Sequence, residues 1–507
     1  MKNILTLTLF LISIQLFAQP NTEVYLLDIN NADGRLKLSN LRNISNNEGY
    51  DNQPSFYDEN TILFASTRNE QTDIAQYNIK SSSISWVNDT AGGGEYSPLR
   101  IPNSTAISAV RLDTTGLQRL YQYDTSNGVS KVIRKDAKVG YHVWYSDEIL
   151  INTILVENRM DLVISHLKDG TNTVAAKNVG RSLHKIPNTE LVSYIAKEQG
   201  NWFIKSLHPI SGATEIISQL PPKTEDMAWM ADGSVLVPAG NILYRFKPES
   251  KENPESIILS EYEEINSISR MAISPDGKYL ALVSQEPPSK IVQKQVDSYN
   301  AGDLNAFVNC YSENVLVTNF PSDTLYVGHE KMRRNYSSLS PDNKVYEVEV
   351  VNRITIGNKV IDQEKVTKKG VFQQFQVALY EVENDDISSM RFIFDDNTTP
   401  NPETIVQKQL DEYNTRDIDG FLQTYTEDVE LFNFPEQKRS KGQEEMRKGY
   451  AGFFESTPDL HCEIKNRITI RNIVIDEEYI TANGNNFSAV AIYEVENGKI
   501  SKVTFVR

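Results

Sequence analysis

The side chains best suited to acid–base chemistry lie close together near the carboxyl end of the chain. His461 stands on one predicted strand and Asp476 on the next, in a hairpin that turns at Arg471-Asn472. An imidazole that works with a carboxylate is a common general acid or base. A second interpretation needs no chemistry: Asp476 forms a cross-strand ion pair with Arg467, and His461 faces solvent or a partner. The residue types leave both interpretations open.

The same hairpin occurs a second time, 114 residues earlier. Arg353 and Asp362 repeat the arginine–aspartate pair, whereas Glu347 takes the place of the histidine. Chemistry that depends on His461 is therefore expected only in the second copy. The ion pair is kept in both copies, so an architectural role explains it better than a catalytic one.

An internal duplication accounts for the repeated hairpin. Residues 291–295 and 405–409 both read Ile-Val-Gln-Lys-Gln, and the offset of 114 continues through an Asn-Phe-Pro and an Asn-Arg-Ile-Thr segment in each copy. A constant offset over so many matching segments does not arise by chance. The sequence therefore predicts two copies of one domain, at 289–396 and 403–507, joined by a polar linker that carries two prolines.

Each copy opens with a helical pattern and continues with β-rich runs. In the second copy, apolar and aromatic residues from Ile405 to Tyr425 recur at helical spacings, with a break at Asn414–Asp417 where Asp417 can cap a second helix. A third helix is predicted at 444–454, followed by four strands between His461 and Val506. Helices followed by a meandering antiparallel sheet define an α+β domain, and a curved sheet wrapped by helices encloses a cone-shaped cavity.

Several segments of the second copy combine aromatic, acidic and glycine residues in a fixed order: Tyr413-Asn414, 416–421, 425–429, Asn433-Phe-Pro435, Lys441-Gly442 and 493–502. This order resembles the nuclear transport factor 2-like superfamily, in particular its SnoaL-like and steroid-isomerase-like branch. The resemblance covers almost all of both copies. It implies the cone fold, in a superfamily that contains enzymes as well as non-catalytic binding domains.

The resemblance allows steroid-type isomerisation to be tested against the residues. The steroid isomerases of this superfamily use an aspartate base, with a tyrosine and a protonated aspartate as the oxyanion hole. The base position is Asn433 here, and Asn319 in the first copy, and an amide cannot take the proton that a carboxylate takes. The tyrosine position falls near Gln409 and Gln295, and the strand at 487–490 has no carboxylate. We therefore expect no such isomerisation in either copy.

Under the same resemblance, His461 and Asp476 are the candidate catalytic pair, since SnoaL-like enzymes often use histidine and aspartate. Tyr413 and Phe434 are expected near the cavity mouth, whereas Tyr425 is expected to fill the core. The candidate ligand pockets comprise Tyr413, Asn433, Phe434, Arg467 and Tyr493 in the second copy and Tyr299, Asn319, Phe320, Arg353 and Asp362 in the first.

The first half of the chain, from 21 to 286, has short β-rich runs separated by turn residues. Similar units recur about every 40 residues, the length of one four-stranded propeller blade. In the clearest unit, Ser274-Pro-Asp-Gly-Lys278 turns the chain into the strand that starts at Tyr279. This unit resembles the blades of TolB-like propellers. We predict six blades centred near residues 60, 110, 150, 195, 235 and 280, the last completed by strands near 23–29 and 35–41.

The predicted fold class is thus multidomain, an all-β six-bladed propeller followed by two tandem α+β cones. The 507 residues carry a formal net charge of −17, which argues against nucleic-acid binding. Only two cysteines occur, which excludes a disulfide scaffold and a cysteine-rich zinc site, and we expect no metal and no cofactor. Residues 1–18 have the form of a secretory signal peptide that is too short to span a membrane. We therefore expect a periplasmic or secreted protein without a membrane span.

Together these patterns favour an exported, non-catalytic binding protein. The propeller would dock a protein partner or a glycan. The cones would pack together as an intramolecular pseudo-dimer or bind a small apolar ligand. The alternative is an isomerase, cyclase or hydrolase in the second cone that uses His461 and Asp476. A third hypothesis is a structural scaffold, in which the duplication replaces the homodimer that such domains often form through their sheets.

Overall fold

The chain divides into two compact units, Met1–Glu286 and Pro287–Arg507. The computed structural model describes residues 21–506 except 33, 70, 222–223, 251, 260–261, 344 and 396–400. The predicted signal peptide lies outside the described residues. Among the helices of the described ranges, none is both long and apolar enough to cross a membrane.

The first unit consists of six four-stranded sheets whose strands run antiparallel. It begins with β1 (Thr22–Ala32) and β2 (Arg35–Asn43). Five sheets of consecutive strands follow: β3–β6 (Asp51–Phe56, Thr61–Arg68, Gln71–Asn78, Ser83–Trp86), β7–β10 (Gly94–Arg100, Ile107–Leu112, Gln118–Tyr123, Ser130–Arg134), β11–β14 (Val139–Trp144, Ile149–Val156, Arg159–His166, Asn172–Ala176), β15–β18 (Val179–Lys185, Val192–Glu198, Asn201–Leu207, Thr214–Leu220) and β19–β22 (Ala228–Trp229, Val235–Ala239, Ile242–Phe246, Glu255–Ile258).

The sixth sheet joins the two ends of the unit. β23 (Ile268–Ile273) and β24 (Tyr279–Gln285) combine with the first two strands in the order β23-β24-β1-β2. Leu27 lies opposite Leu280, and both are fully buried. The closure of the last blade by the first strands is therefore confirmed, and the six predicted centres fall on or beside the second strand of each blade.

Burial in a blade follows the position of the strand. In the first complete blade, β4 is buried from Thr61 to Ser66, whereas β6 is exposed from Ser83 to Ser85. Strands in the middle of a blade are covered by neighbouring blades on both faces, so their sequences are continuous runs of apolar residues. The outermost strands need no such runs, and this is why the sequence pattern shows the inner part of each blade most clearly.

The second unit contains the two copies, here called the first and the second cone. The first cone consists of α1 (Pro288–Ala301), α2 (Leu304–Asn309), β25 (Tyr311–Asn319), β26 (Asp323–Val327), α3 (His329–Asn335), a 3-10 turn (Pro341–Asn343), β27 (Tyr346–Ile356), β28 (Lys359–Lys368), β29 (Val371–Glu383) and β30 (Asp386–Phe394). The second consists of α4 (Glu403–Thr415), α5 (Ile418–Gln423), β31 (Tyr425–Asn433), β32 (Gln437–Lys441), α6 (Gln443–Ser456), β33 (His461–Ile470), β34 (Ile473–Ala482), β35 (Asn485–Glu496) and β36 (Lys499–Val506).

Each cone folds into one six-stranded sheet, with the orders β26-β25-β30-β29-β28-β27 and β32-β31-β36-β35-β34-β33. The last four strands of each cone form the expected antiparallel meander. Two strands that the sequence did not predict, β25 and β31, add parallel pairs with β30 and β36. The helical spacing in the sequence continues to Tyr425, whereas α5 ends at Gln423 and Tyr425 begins a strand. Asp417 does cap α5, since its carboxylate accepts hydrogen bonds from the backbone N–H groups of Asp419 and Gly420, both at 3.0 Å.

The sheets of the two cones pack face to face. Twelve buried aliphatic residues from both sheets form one cluster, including Ile361 and Leu379 of the first cone and Ile468 and Ile475 of the second. Polar contacts also cross between the cones: Asn466 Nδ2 donates to Asn352 Oδ1 at 2.9 Å. The two copies thus form the predicted intramolecular pair, whose interface is stabilised by the burial of apolar surface.

Truncation of this interface should weaken the second unit alone. Ile475 is fully buried, and we expect Ile475→Ala to lower the free energy of unfolding by about 2–4 kcal/mol, because it leaves a cavity between the sheets. All four tryptophans, at 86, 144, 202 and 229, belong to the first unit. In urea unfolding, the midpoint of the transition followed by far-ultraviolet circular dichroism should therefore move to a lower urea concentration. The midpoint followed by tryptophan fluorescence should stay unchanged. Val351→Ala, at a side chain 45% exposed, is the control, and an equal shift for both variants would contradict the interface.

Candidate functional site

Each cone holds a cavity between its helices and the inner face of its sheet. The cavity of the second cone measures about 360 Å³ and that of the first about 250 Å³. The lining of the larger cavity is mainly aromatic and aliphatic, with a few polar or charged groups, and includes Gln409, Tyr413, Tyr425, Arg439, Tyr450, Phe453, Cys462, Glu478, Tyr493 and Phe505. A mainly apolar cavity with few polar groups is typical of a small-molecule site.

Glu478 is the acidic side chain that lines this cavity. It is only 7% exposed, and its Oε1 accepts a hydrogen bond of 2.8 Å from the hydroxyl of Tyr493. Burial disfavours the charged form and raises the pKa of Glu478 to about 7. Near neutral pH the carboxyl is therefore present in both protonation states, and it can accept a hydrogen bond in one state and donate one in the other.

The strand β34 places Glu478 two residues after Asp476, so both side chains lie on the inner face of the sheet. Asp476 is fully engaged by Arg467, whose Nε and Nη2 each donate to one carboxylate oxygen at 2.6 Å. Arg467 also donates from Nη1 to Gln407 Oε1 on α4 at 3.2 Å. The ion pair therefore joins two strands and a helix beside the cavity.

The same ion pair recurs in the first cone. Arg353 binds both oxygens of Asp362 at 2.7 Å, and its Nη1 donates to the carbonyl oxygen of Ser289 on α1 at 3.2 Å. In both cones the arginine thus holds the first helix against the sheet. This geometry accounts for the repeated pair without any chemistry.

A second anchor fixes the end of each first helix. The side chain of Asn414 exchanges two hydrogen bonds with the backbone of Cys462, at 2.9 and 2.7 Å, and Asn300 does the same with Val348 at 2.7 and 2.9 Å. These bonds hold the helix beside the cavity, and Tyr413 immediately precedes the anchoring asparagine in the second cone. Burial raises the pKa of the Cys462 thiol, which therefore stays neutral.

Aromatic side chains of α6 and of the start of β31 pack around Phe421 on α5. Its ring centroid lies 4.9 Å from that of Tyr450, 5.1 Å from Tyr425 and 5.5 Å from Phe454. Burial raises the pKa of Tyr413 and Tyr425 far above the ordinary value, so both phenols keep their protons. The cavity wall can thus offer phenolic hydroxyl groups as hydrogen-bond donors.

The structure brings part of the predicted pocket together. Tyr413 and Tyr493 line the second cavity, and Tyr299 lines the first. Tyr425 lines the second cavity too, although it is also part of the core, as expected. Arg353, Asp362 and Arg467 lie beside the cavities rather than in their walls, because each is committed to an ion pair.

The four residues of the Asn-Phe segments lie outside both cavities, which corrects the expectation that they line a pocket. Asn433 Nδ2 donates to Gln437 Oε1 at 3.2 Å in the connection between β31 and β32. Phe434 packs against the cluster between the cones, with the Arg391 guanidinium 4.7 Å from its ring centroid. Asn319 and Phe320 occupy the corresponding places in the first cone. The two phenylalanines therefore meet the other cone, whereas the two asparagines form hydrogen bonds within their own cone.

The structure also separates His461 from Asp476, contrary to the catalytic pair expected from the sequence. His461 lies opposite Thr481 and is exposed, whereas Asp476 lies opposite Arg467. Five residues along β34 separate Thr481 from Asp476, a distance of roughly 16 Å. His461 and Cys462 alternate as predicted, the first exposed and the second facing the cavity.

Glu478 and its counterpart Glu364 are the residues that the sequence pattern did not single out. Both follow the paired aspartate by two positions, at the repeat offset of 114, so the duplication and the strand periodicity together could have pointed to them. In the described part of the chain, no group of three or more histidine, cysteine or acidic side chains is placed to hold a metal ion.

Known proteins provide an independent comparison for this geometry. The SnoaL-like domain family matches the chain twice, at 292–390 and 406–503. The two cones are therefore referred to below as the first and second SnoaL-like domains. The search of curated proteins found no match.

Solved structures are similar to both parts of the chain. An uncharacterised cystatin-fold protein from Novosphingobium aromaticivorans is 29% identical over 22% of this chain and 100% of its own, with a TM-score of 0.20. An NTF2-like protein of unknown function from Cytophaga hutchinsonii is 17% identical over 22% of this chain and 91% of its own, with a TM-score of 0.19. A putative TolB from Agrobacterium tumefaciens is 12% identical over 53% of this chain and 99% of its own, with a TM-score of 0.42. The family match confirms the SnoaL-like resemblance inferred from the sequence of the two cones.

The buried carboxyl should make stability depend on pH. Folding raises the pKa of Glu478 from 4.5 to about 7, so the folded state binds this proton more tightly than the unfolded state. The resulting stabilisation is complete below pH 4.5 and is lost as the pH rises to about 7, a loss of about 3 kcal/mol. Glu478→Gln should therefore lose less stability than the wild type between about pH 5 and about pH 8 in urea unfolding.

The control for this experiment is Glu496→Gln, at an exposed position near the end of β35, which should keep the wild-type pH dependence. If the free energy of unfolding changed equally with pH in the wild type and in Glu478→Gln, the carboxyl of Glu478 would titrate in the folded chain as it does in the unfolded chain.

Proposed function

We propose that the second SnoaL-like domain binds a small, mainly apolar molecule and holds one polar group of that molecule with the carboxyl of Glu478. The observation that carries this proposal is a buried carboxyl within an aromatic cavity of about 360 Å³. A buried carboxyl that served packing alone would cost stability, because burial disfavours its charged form. A ligand group that donates a hydrogen bond to the carboxylate offsets this cost.

The apolar part of the ligand is supported by the cavity wall. Tyr413, Tyr450 and Phe453 from the helices and Phe505 from the sheet contribute aromatic surface. Aromatic side chains bury large apolar areas and hold flat ligands by stacking or edge contacts. A planar apolar molecule with one hydroxyl group therefore fits both the wall and the carboxyl.

The wider role of the protein in this proposal is binding without catalysis outside the cytoplasm, in the periplasm or secreted. The amino-terminal sequence supports export. The propeller would dock a protein partner or a glycan. Supporting this, a cavity of about 340 Å³ in the first unit is lined by polar and aromatic side chains, among them Tyr141, Arg159, Arg181 and Lys197.

Binding can be tested on the full chain with 2-naphthol, which has a flat apolar body and one hydroxyl group. We expect binding at about pH 8 and affinity about tenfold lower at about pH 6, because a charged carboxylate is the stronger acceptor. Glu478→Gln should bind about tenfold more weakly at the higher pH. The readout is naphthol fluorescence or titration calorimetry.

The control variant for binding is Glu463→Gln, at an exposed side chain of the adjacent strand, which should leave the affinity unchanged. 2-Acetylnaphthalene, which has a carbonyl acceptor on the same ring system, should show the opposite pH trend. If neither compound binds at either pH, the proposal is wrong.

Proton transfer is a second candidate function, and the pKa of Glu478 near 7 is the observation that favours it. A general base works best when its pKa lies near the operating pH. The hydrogen bond from Tyr493 fixes one carboxyl oxygen and leaves the other to face a bound molecule. The second domain would then remove a proton next to a carbonyl group, with Glu478 as the base in place of the expected His461.

Deuterium exchange distinguishes catalysis from binding. If Glu478 acts as a base, the wild type should speed deuterium incorporation into the methyl group of 2-acetylnaphthalene in D₂O, followed by NMR, and Glu478→Gln should not. His461→Gln, at an exposed side chain, should retain the wild-type rate. If 2-acetylnaphthalene binds but its deuterium incorporation is not accelerated, the second domain binds the molecule without catalysis.

A further inference from the structure

We infer that the duplicated domains have divided the proposed binding function: the inner carboxyl is open to a ligand in the second SnoaL-like domain and is closed by Gln376 in the first. This inference rests on the proposed function. It identifies the ligand group as a hydrogen-bond donor, a hydroxyl or an N–H on an apolar body, and it assigns the donor's contact to the second oxygen of Glu478.

The register of the sheets shows that the two carboxyls occupy the same place. Glu364 lies directly opposite Gln376 on β29, and Glu478 lies directly opposite Ala489 on β35. Cross-strand neighbours on one face are about 5 Å apart, within reach of a glutamine side chain. The residue opposite the carboxyl therefore decides whether that carboxyl has a partner within the sheet.

In the first domain both carboxylate oxygens are occupied. The hydroxyl of Tyr380 donates to Glu364 Oε1 at 2.9 Å, and Gln376 Nε2 donates to Oε2 at 2.7 Å. A ligand could reach this carboxylate only by displacing a hydrogen bond that is already made. Gln376 also lines the first cavity, which is the smaller of the two.

In the second domain one oxygen remains available. Tyr493 donates to Glu478 Oε1 at 2.8 Å, as Tyr380 does in the first domain. Within the part of the chain that the structure describes, Oε2 receives no hydrogen bond, since the methyl group of Ala489 has nothing to donate. Because Glu478 lines the larger cavity, a ligand hydroxyl or N–H there finds an acceptor without displacing a protein group.

The first domain offers a ligand a different group. Gln295 lines its cavity, and its buried Oε1 has no hydrogen-bond partner within the described ranges. An amide does not titrate, so a hydrogen bond to Gln295 would not itself depend on pH, whereas Glu364 in the same cavity wall has its pKa raised to about 7 by burial. Of the two cavities, the second therefore offers a ligand donor a titrating carboxyl with an oxygen that no protein group occupies.

Two reciprocal substitutions test this division in the full chain with 2-naphthol as the probe. Ala489→Gln places in the second domain the amide that closes the first, and it should weaken binding at least tenfold. Gln376→Ala, the matched change in the first domain, should leave the affinity of the second domain at the wild-type value, and any added site must lie in the first domain, where the change frees Glu364 Oε2. Equal affinities for the wild type and Ala489→Gln, or equal losses in both variants, would overturn the inference.

A second measurement needs no ligand and therefore separates this inference from the proposed function. With ¹³C-labelled glutamate, the carboxyl carbons of Glu364 and Glu478 can be followed by NMR through a pH titration. Ala489→Gln should lower the pKa of Glu478, because it adds a donor to the carboxylate, and Gln376→Ala should raise that of Glu364. Unchanged midpoints in both variants would overturn the open and closed arrangement, whereas failure of the wild type to bind 2-naphthol would contradict only the proposed function.

Discussion

The two-residue repeat of the β-strand is the constraint on which the second unit depends. Along β34, Ile473 and Ile475 face the other sheet, while Asp476 and Glu478 face the helices of their own cone. Both faces of the strand are buried, for different reasons. One face needs apolar side chains that fit the other cone, and the other combines an ion pair with a cavity wall. A shift of register by one residue would place carboxylates between the sheets and isoleucines in the cavity.

The duplication shows which of these requirements is strict. The arginine–aspartate pair, the asparagine anchor of the first helix and the aliphatic interface recur in both copies. The cavity walls differ, with Val348 against Cys462 and Gln376 against Ala489. The interface tolerates little change because each sheet packs against the other, so an altered side chain needs a matching change across the contact. A cavity has no such partner, and its residues can diverge.

Much of the fold followed from local patterns in the sequence, and most of the site did not. The blades were predictable because their turns and short apolar runs are encoded over a few residues. The spacing of Tyr425 after Phe421 predicts a helix, and only the pairing of Tyr425 with Ile500 makes it part of a strand. The separation of His461 from Asp476, by contrast, was within reach of the sequence, because counting from the turn at Arg471-Asn472 already puts Asp476 opposite Arg467 and His461 several residues farther along the hairpin. Glu478 belongs to an Asp-Glu-Glu sequence, which is typical of an exposed surface. Its burial depends on the packing of the helices against the sheet, which the local sequence does not indicate.

The buried carboxyls argue against a purely structural role for the second domain. Burial raises the pKa of both Glu364 and Glu478 to about 7, so each carboxyl costs stability wherever the pH holds it charged. The first domain reduces this cost with the amide of Gln376, a solution that needs one side chain and no ligand. The second domain has alanine at that position and a larger cavity beside it. A scaffold gains nothing from a carboxyl oxygen in a cavity wall that no protein group donates to, whereas a binding site needs that oxygen for its ligand.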